Sequence, residues 1–185
     1  MHKTLMIMAA LGLAACSAQP DRLALTPAAS TLQLQPAVRS AVVRTVSLPT
    51  YAAVEEIPLQ SADGLITTSG DILWADDPQR AMTLAIATTL GGITGADVGP
   101  EPWPFIDLPD VAIDIRVAQM IAAADGTFRL SGQYFVGGDG IDFRNTAHRF
   151  DIRTPLADQS LGSISAAQSA AVLTLAEDIA RRIAR

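Results

Sequence analysis

Cys16 carries the most reactive side chain near the start of this 185-residue chain, and it is the only cysteine. With no second cysteine, an internal disulfide is excluded. Three interpretations of Cys16 remain: it is a structural thiol, a residue of an ordinary signal peptide, or a site of covalent modification. The preceding residues bear on this choice: Lys3 supplies a positive start, and an apolar run from Leu5 to Leu13 follows. This order is typical of a secretory signal, and the run is too short to span a bilayer.

The four residues Leu13-Ala14-Ala15-Cys16 resemble the lipobox of bacterial lipoproteins. In such signals the thiol is acylated, the chain is cut before the cysteine, and the new amino terminus takes a further acyl chain. We therefore predict that residues 1–15 are a signal peptide and that Cys16 is the lipidation site, with chains such as palmitate. Several chains are needed because one acyl chain holds a protein to a membrane only weakly. Ser17 at the next position resembles sorting to the outer membrane.

His148 is the remaining candidate for catalysis, because the other histidine lies in the predicted signal peptide. A lipid-anchored hydrolase could use it, but the chain has no G-x-S-x-G motif to supply a nucleophile. The acidic pairs Glu55-Glu56 and Asp76-Asp77 have no identifiable partners for acid–base chemistry. Histidine pairs at metal-ligand spacing are also absent. The sequence thus predicts no catalytic, cofactor-binding or metal-binding residues, and a protein that is not an enzyme.

The chain is acidic, with a formal net charge of −6 at pH 7. This charge argues against nucleic acid as a partner, since nucleic-acid binding depends on basic patches. Prolines interrupt residues 16–39, which we interpret as a lipidated N-terminus and tether with a possible short strand at Arg22-Leu25. Residues 40–185 are long enough for one domain with its own core.

Two helices are predicted in that domain. Asp77, followed by proline, is typical of a helix start, and Gly91-Gly92 is typical of a helix end. Ser165 with Gln168 three residues later resembles a capping box at the start of the closing helix. An apolar stripe then follows at helical spacing: Val172, Leu175, Ala176, Ile179 and Ile183.

Three consecutive strands are predicted between the helices. Val111–Val117 alternates apolar and polar residues, Asp125-Gly126 is a turn signal, and Phe128–Val136 alternates again. The third strand, 141–152, changes its apolar register after Phe143, which suggests a bulge. The fold class is therefore α/β or α+β: a mixed sheet with a three-strand meander, covered by two main helices.

Several segments together resemble one family, the PqiC-type auxiliary lipoproteins of ABC-type transport. They are the lipobox, the strand with its Pro49-x-Tyr51 step, the Trp74-Ala75 step before the first helix, the strand from Asp110, and the closing helix. Two segments depart from the family pattern: Gln60–Gly70 is more polar, and the first helix begins with Asp76-Asp77-Pro78.

The resemblance implies a lipoprotein of the outer membrane that faces the periplasm. It implies a docking or end-piece role in intermembrane lipid transport, with an MCE-domain protein and inner-membrane transporter components as partners. A homo-oligomer such as a ring is also implied. A lipid-binding shuttle remains an alternative, and it requires a cavity for acyl chains. The tryptophan-containing loop near Trp103 and Phe105 is a candidate contact surface if both side chains are exposed.

Overall fold

The computed structural model describes residues 20–26, 28–138 and 142–184, so Cys16 lies outside the described residues. Within these ranges the chain forms two α-helices and one mixed sheet of eight strands, which confirms an α+β fold. The strands are β1 (Asp21–Leu23), β2 (Ser40–Val43), β3 (Glu56–Gln60), β4 (Ile66–Trp74), β5 (Asp97–Pro100), β6 (Val111–Ala123), β7 (Thr127–Gly137) and β8 (Thr146–Pro155). The helices are α1 (Pro78–Thr94) and α2 (Leu161–Ile183), and a short 3₁₀ turn spans Thr50–Ala52.

The sheet branches at β6, its longest strand. The predicted meander is present: β6, β7 and β8 are antiparallel neighbours. On its other side β6 pairs in parallel with β2 near its start and with β3 near its end, where Leu59 lies opposite Ala122. The β2 branch continues to β5, and the β3 branch continues through β4 to β1. The two ends of β6 therefore carry different parts of the molecule.

The core lies between one face of the sheet and the two helices. Helix α1 packs against α2, β2 and β5, while α2 packs against β7 and β8. Because side chains alternate along a strand, β6 directs Val111, Ile113 and Ile115 into this core and directs the intervening residues to the opposite face. The apolar stripe predicted for the closing helix is buried there along its whole length.

A bulge interrupts β6 between Val117 and Gln119, opposite Gly132 on β7. A Cβ atom at Gly132 would lie 2.2 Å from the Arg116 carbonyl oxygen, so only glycine fits. The hydroxyl of Tyr51 accepts a 3.3 Å hydrogen bond from the Met120 backbone N–H just past the bulge. The bulge predicted within the third strand is wrong, because β7 and β8 pair without a register shift.

The third strand begins later than predicted, and this explains the missing bulge. β8 starts at Thr146, and Phe143 precedes it in a bend. Since Phe143 is outside the strand, its direction does not have to match the alternation that buries Phe150. Residues 139–141 of the predicted turn and strand start lie outside the described residues.

Helix α1 begins as predicted and ends later. The side chain of Asp77 accepts a 2.8 Å hydrogen bond from the Arg80 backbone N–H, which caps the helix. The predicted end at Gly91-Gly92 is wrong: the helix continues to Thr94 and stops at Gly95, whose φ is 66°. Glycine inside a helix lowers its stability without ending it, whereas a left-handed backbone conformation does end it.

Helix α2 begins earlier than the predicted capping box. Its N-cap is Ser160, whose hydroxyl accepts a 3.2 Å hydrogen bond from the Ser163 backbone N–H. Ser165 and Gln168 lie inside the helix and are buried, so their assignment as a cap is wrong. The amide of Gln168 instead lies 3.9 Å from the Met120 sulfur, which places it against the sheet.

The described residues of the predicted tether, residues 16–39, lie along the domain. β1 pairs in parallel with β4, with Asp21 opposite Ile72. Further along, Leu25, Leu32 and Leu34 are partly buried against the core. The packed body of the protein therefore includes residues from Asp21 onward.

Candidate functional site

His148, the one histidine of the domain, lies on β8 and stacks on the ring of Tyr134, with ring centroids 5.0 Å apart. Its Nε2 atom is buried and has no hydrogen-bond partner among the described residues. The Tyr134 hydroxyl is directed elsewhere and donates a 2.6 Å hydrogen bond to Asp178 on α2. Burial, with a smaller contribution from Asp178, raises the pKa of Tyr134 well above its ordinary 10.0. In this arrangement the histidine belongs to the packing between sheet and helix.

The acidic pairs take structural roles. Asp77 caps α1, and Asp76 forms an ion pair with Arg80 on the first turn. Glu55 pairs with Arg22 of β1 at 2.9 Å, which ties the first strand to the sheet. Over the described ranges, no three His, Cys, Asp or Glu side chains come close enough together to hold a metal ion.

A groove of about 1350 Å³ lies on the sheet face that points away from the helices. Its floor is formed by outward-facing side chains of three strands, Ala112, Phe135 and Ala147. Trp103 and Leu108, from the loop between β5 and β6, line one side. The sequence analysis missed this groove, although the period-two pattern of β6 already separates the residues of its floor from those of the core.

Charged side chains of both signs border the groove. Arg116 forms a bidentate pair with Asp114 at 2.9 and 3.2 Å and also lies over the Phe135 ring, 5.2 Å from its centroid. The hydrogen bonds from Arg116 hold the pKa of Asp114 below its ordinary 3.8, against the effect of desolvation. The Arg39 backbone N–H donates a 2.7 Å hydrogen bond to Asp110 and likewise lowers the pKa of that carboxyl. These carboxylates are therefore charged at neutral pH.

The loop at residues 101–110, which we call the apolar loop, presents large apolar side chains to solvent. Phe105 is 53% exposed, and Ile106 and Leu108 are more exposed still. Of the two residues predicted to be exposed together, Trp103 is only partly exposed. It supports this surface: its ring meets that of Phe105 edge-on at 4.9 Å, and its Nε1 donates a 2.7 Å hydrogen bond to the Asp107 carbonyl oxygen. The apolar loop is thus an ordered projection, and exposed apolar clusters of this kind are typical of contact surfaces.

The other tryptophan is structural. Trp74 is buried at the end of β4. None of the described helices combines the length and the apolar character needed to cross a bilayer.

Comparison with known proteins identifies the family. The model of the family described as "ABC-type transport auxiliary lipoprotein component" matches residues 22–180. No protein with a curated description matches the chain.

Two solved structures have the same fold. One is an uncharacterized protein with 18% sequence identity and a TM-score of 0.71, aligned over 86% of this chain and 99% of its own. The other is protein XCC0632 from Xanthomonas campestris, of family DUF330, with 13% identity and a TM-score of 0.66 over 85% of this chain and 92% of its own. The family match extends from β1 to the last turns of α2, so the chain belongs to the ABC-type transport auxiliary lipoprotein family.

Proposed function

We propose that the protein is an outer-membrane lipoprotein, anchored on the periplasmic face through acylated Cys16, that serves as a docking component of an intermembrane lipid transport system. Its partners in this proposal are an MCE-domain protein and inner-membrane components of an ABC-type transporter. The observation that carries the proposal is the family match over residues 22–180, which assigns the chain to auxiliary lipoproteins of ABC-type transport. The lipobox at Leu13–Cys16 supplies the anchor.

The apolar loop supports a docking role. Phe105, Ile106 and Leu108 expose apolar surface next to the charged border of the groove. Protein interfaces commonly have an apolar centre and a polar rim. The apolar loop offers the apolar centre and the border of the groove offers the polar rim. A protein partner could bury the apolar side chains of the loop and pair with the charged side chains of the groove.

A lipid-binding shuttle is the second candidate, favoured by the size of the groove. The charged border of the groove disfavours lipid binding. Acyl chains cannot form hydrogen bonds or ion pairs with groups such as Arg44 and Glu101, so the free-energy cost of desolvating these groups would not be offset. The concavity between the helices, near Leu25 and Val172, has no room even for a water molecule. We therefore place docking first. Binding of phospholipid to the purified protein, measured by native mass spectrometry, would favour the shuttle.

A hydrolase is a weaker alternative. It requires a nucleophile within hydrogen-bond reach of His148, whereas that ring stacks on Tyr134 and its Nε2 has no partner among the described residues. That the protein is not an enzyme stays a prediction. Assays of esterase and phosphatase activity on the wild type and on His148→Ala would test it.

Copurification from membranes tests the docking role. The wild-type protein, solubilised in mild detergent after crosslinking, is expected to bring an MCE-domain protein with it. Substitution of Phe105, Ile106 and Leu108 by serine should remove most of that partner without unfolding the domain, because exposed positions change stability little. The control replaces Val54, an exposed apolar residue outside the apolar loop, by serine and should keep the partner.

Two results would contradict the proposal. Recovery of the wild type without an MCE-domain protein argues against the transport role. Equal recovery with the wild type and the serine variant of the apolar loop argues against this docking surface. The homo-oligomer implied by the family is tested on the same preparation by analytical ultracentrifugation.

A further inference from the structure

Among the described residues, two clusters of exposed apolar side chains lie at opposite ends of β6. The apolar loop leads into the start of β6 at Val111. The second cluster follows β3, whose Leu59 lies opposite Ala122 near the end of β6. We call residues 61–66 the hairpin tip, since they join β3 to β4 and include the first residue of β4. Twelve residue steps separate the two ends of β6, which is about 40 Å at roughly 3.3 Å per residue.

The hairpin tip is an ordered turn with apolar side chains at its exit. The Ser61 backbone N–H donates to the Leu65 carbonyl oxygen at 2.9 Å, and Gly64 supplies the positive φ of 85° that the turn needs. Leu65 is 63% exposed and Ile66 is 43% exposed. Both side chains are therefore exposed to solvent.

The direction of β1 relates this tip to the lipid anchor. β1 is parallel to β4, so the chain enters β1 from the end of the pair at which β4 begins. Asp21 lies opposite Ile72, six residues after the start of β4 at Ile66. The pairing with β3 shifts register within this stretch: Ile66 lies opposite Gln60 and Leu73 opposite Glu56, so these residues advance by only four strand steps. The start of β4 therefore extends at most about 14 Å beyond Asp21, toward the end at which β1 begins, at roughly 3.4 Å per step.

The length of chain between the anchor and the sheet sets a limit. Five residue steps join Cys16 to Asp21, and a fully extended chain covers at most about 3.6 Å per residue, or about 18 Å in all. The reach of the anchor thus exceeds the extension of the hairpin beyond Asp21 by only about 4 Å, and only when all five steps are fully extended. A domain that stands on its anchor with this end toward the membrane therefore holds the hairpin tip at the lipid surface or within a few ångströms of it.

We propose that the hairpin tip, through Leu65 and Ile66, is a second membrane contact beside acylated Cys16, and that it orients the domain with the apolar loop directed away from the bilayer. The inference rests on the proposed lipid anchor. The occupant of this surface is a lipid bilayer. Leu65 and Ile66 enter its interface, where apolar side chains are favoured.

The charge at this end of the molecule specifies the kind of lipid. Asp63 lies in the hairpin tip, and Asp125 lies in the turn that joins β6 to β7 at the same end of β6. The hydroxyl of Ser61 lowers the pKa of Asp63, and hydrogen bonds from Thr127 and Arg129 lower that of Asp125 to about 2. Both carboxylates are charged at neutral pH, but Arg129 balances Asp125 through their ion pair. The charge of Asp63 at the tip itself therefore favours zwitterionic lipid over anionic lipid.

Site-specific fluorescence on the full chain tests the proposal. Acylation consumes the thiol of the only native cysteine, so a probe attaches only to an introduced one. Leu65→Cys and Leu108→Cys are a matched pair, since both replace an exposed leucine at opposite ends of β6. Each acylated protein is labelled with a nitrobenzoxadiazole probe and bound to phosphatidylcholine vesicles that contain nitroxide-labelled lipid.

The expected result is several-fold stronger quenching by the nitroxide lipid at position 65 than at position 108, and weaker quenching at 65 when anionic lipid is added. Equal quenching, or stronger quenching at 108, overturns the inference. A blue-shifted probe at 65 that the nitroxide lipid does not quench also overturns it, in favour of a protein contact such as a second copy.

The mass of the mature amino terminus distinguishes failure of the membrane contact from failure of the lipoprotein proposal. If Cys16 is acylated and the protein is bound to vesicles but position 65 is not quenched, the membrane contact fails and the lipoprotein proposal stands. If Cys16 carries no acyl chain, the lipoprotein proposal fails, and the membrane contact fails with it.

Discussion

The hydroxyl of Tyr134 on β7 donates a 2.6 Å hydrogen bond to the carboxylate of Asp178 on α2. Tyr134 is fully buried, and Asp178 lies at the edge of the helix, where Arg182 approaches it at 3.8 Å. A buried donor is thereby satisfied, and the strand at the centre of the meander is joined to the closing helix.

Replacing Tyr134 by phenylalanine keeps the ring in the core and removes this hydrogen bond. We expect a loss of about 1 kcal/mol in the free energy of unfolding at pH 7, because a typical intramolecular hydrogen bond contributes about that much. Urea denaturation of wild type and Tyr134→Phe measures the difference. A variant as stable as the wild type would contradict this role of the hydroxyl.

The same substitution has a predicted pH dependence. The folded state raises the pKa of Tyr134 above its ordinary 10.0, so the fold favours the neutral phenol. The stability that the neutral phenol gives to the folded state is fully present below about pH 10. It is lost as the pH rises above that value toward the folded-state pKa. The stability difference between wild type and Tyr134→Phe should therefore shrink between pH 8 and alkaline conditions near about pH 11. A constant difference over this range would exclude the linkage.

The bulge on β6 makes Gly132 intolerant of any side chain. In Gly132→Ala the new methyl carbon would lie 2.2 Å from the Arg116 carbonyl oxygen and 3.0 Å from the Phe150 ring. Overpacking of a core lowers the free energy of unfolding by about 1–3 kcal/mol. Because the close contact is with backbone, we expect the loss in Gly132→Ala to lie at or above the upper end of this range. Thermal unfolding followed by circular dichroism measures the loss.

Gly92 provides the matched control for that substitution. It lies inside α1 with nothing within 4 Å of its would-be Cβ. Gly92→Ala should stabilise the protein by up to about 1 kcal/mol, since alanine has the higher helix propensity. Gly132→Ala should lower the free energy of unfolding and Gly92→Ala should raise it. Equal effects of the two substitutions would contradict the packing described at the bulge.

The cap of α1 predicts a smaller effect. Asp77→Ala removes the side-chain acceptor for the Arg80 backbone N–H and should cost about 1 kcal/mol. Asp76→Ala removes an exposed pair with Arg80 and should cost less, about 0.5 kcal/mol. Chemical denaturation of both variants checks the order, and a larger loss for Asp76→Ala would reverse the assignment of the cap.

Substitution of Cys16 tests the anchor. Cys16→Ala should abolish incorporation of labelled palmitate, because no thiol remains for the acyl chain. The fold should be unaffected, since packing against the domain is observed from Asp21 onward. Metabolic labelling followed by immunoprecipitation measures incorporation, and circular dichroism of the purified domain checks the fold. Undiminished labelling of Cys16→Ala would place the lipid on another residue.

The patterns that can be read from the sequence are those that depend on near neighbours. The stripe of α2 needs only a 3.6-residue period, and the alternation in β6 needs only a period of two. Both predicted which side chains are buried, as in Leu175 and Ile113. The lipobox is likewise a run of four adjacent residues, and from it the sequence alone predicts the anchor at Cys16.

Tertiary structure decided the features that join distant residues. Gly91-Gly92 does not end α1, because the helix continues against the sheet until Gly95 takes a left-handed conformation. The bulge lies in β6 because Gly132 of the neighbouring strand lets the two backbones approach there. Likewise, the branching of the sheet at β6 is a property of strand pairing, and it is this pairing that puts the hairpin tip and the apolar loop at opposite ends of β6. Local periodicity specifies which face of an element is buried, but it carries no information on which element lies next to it.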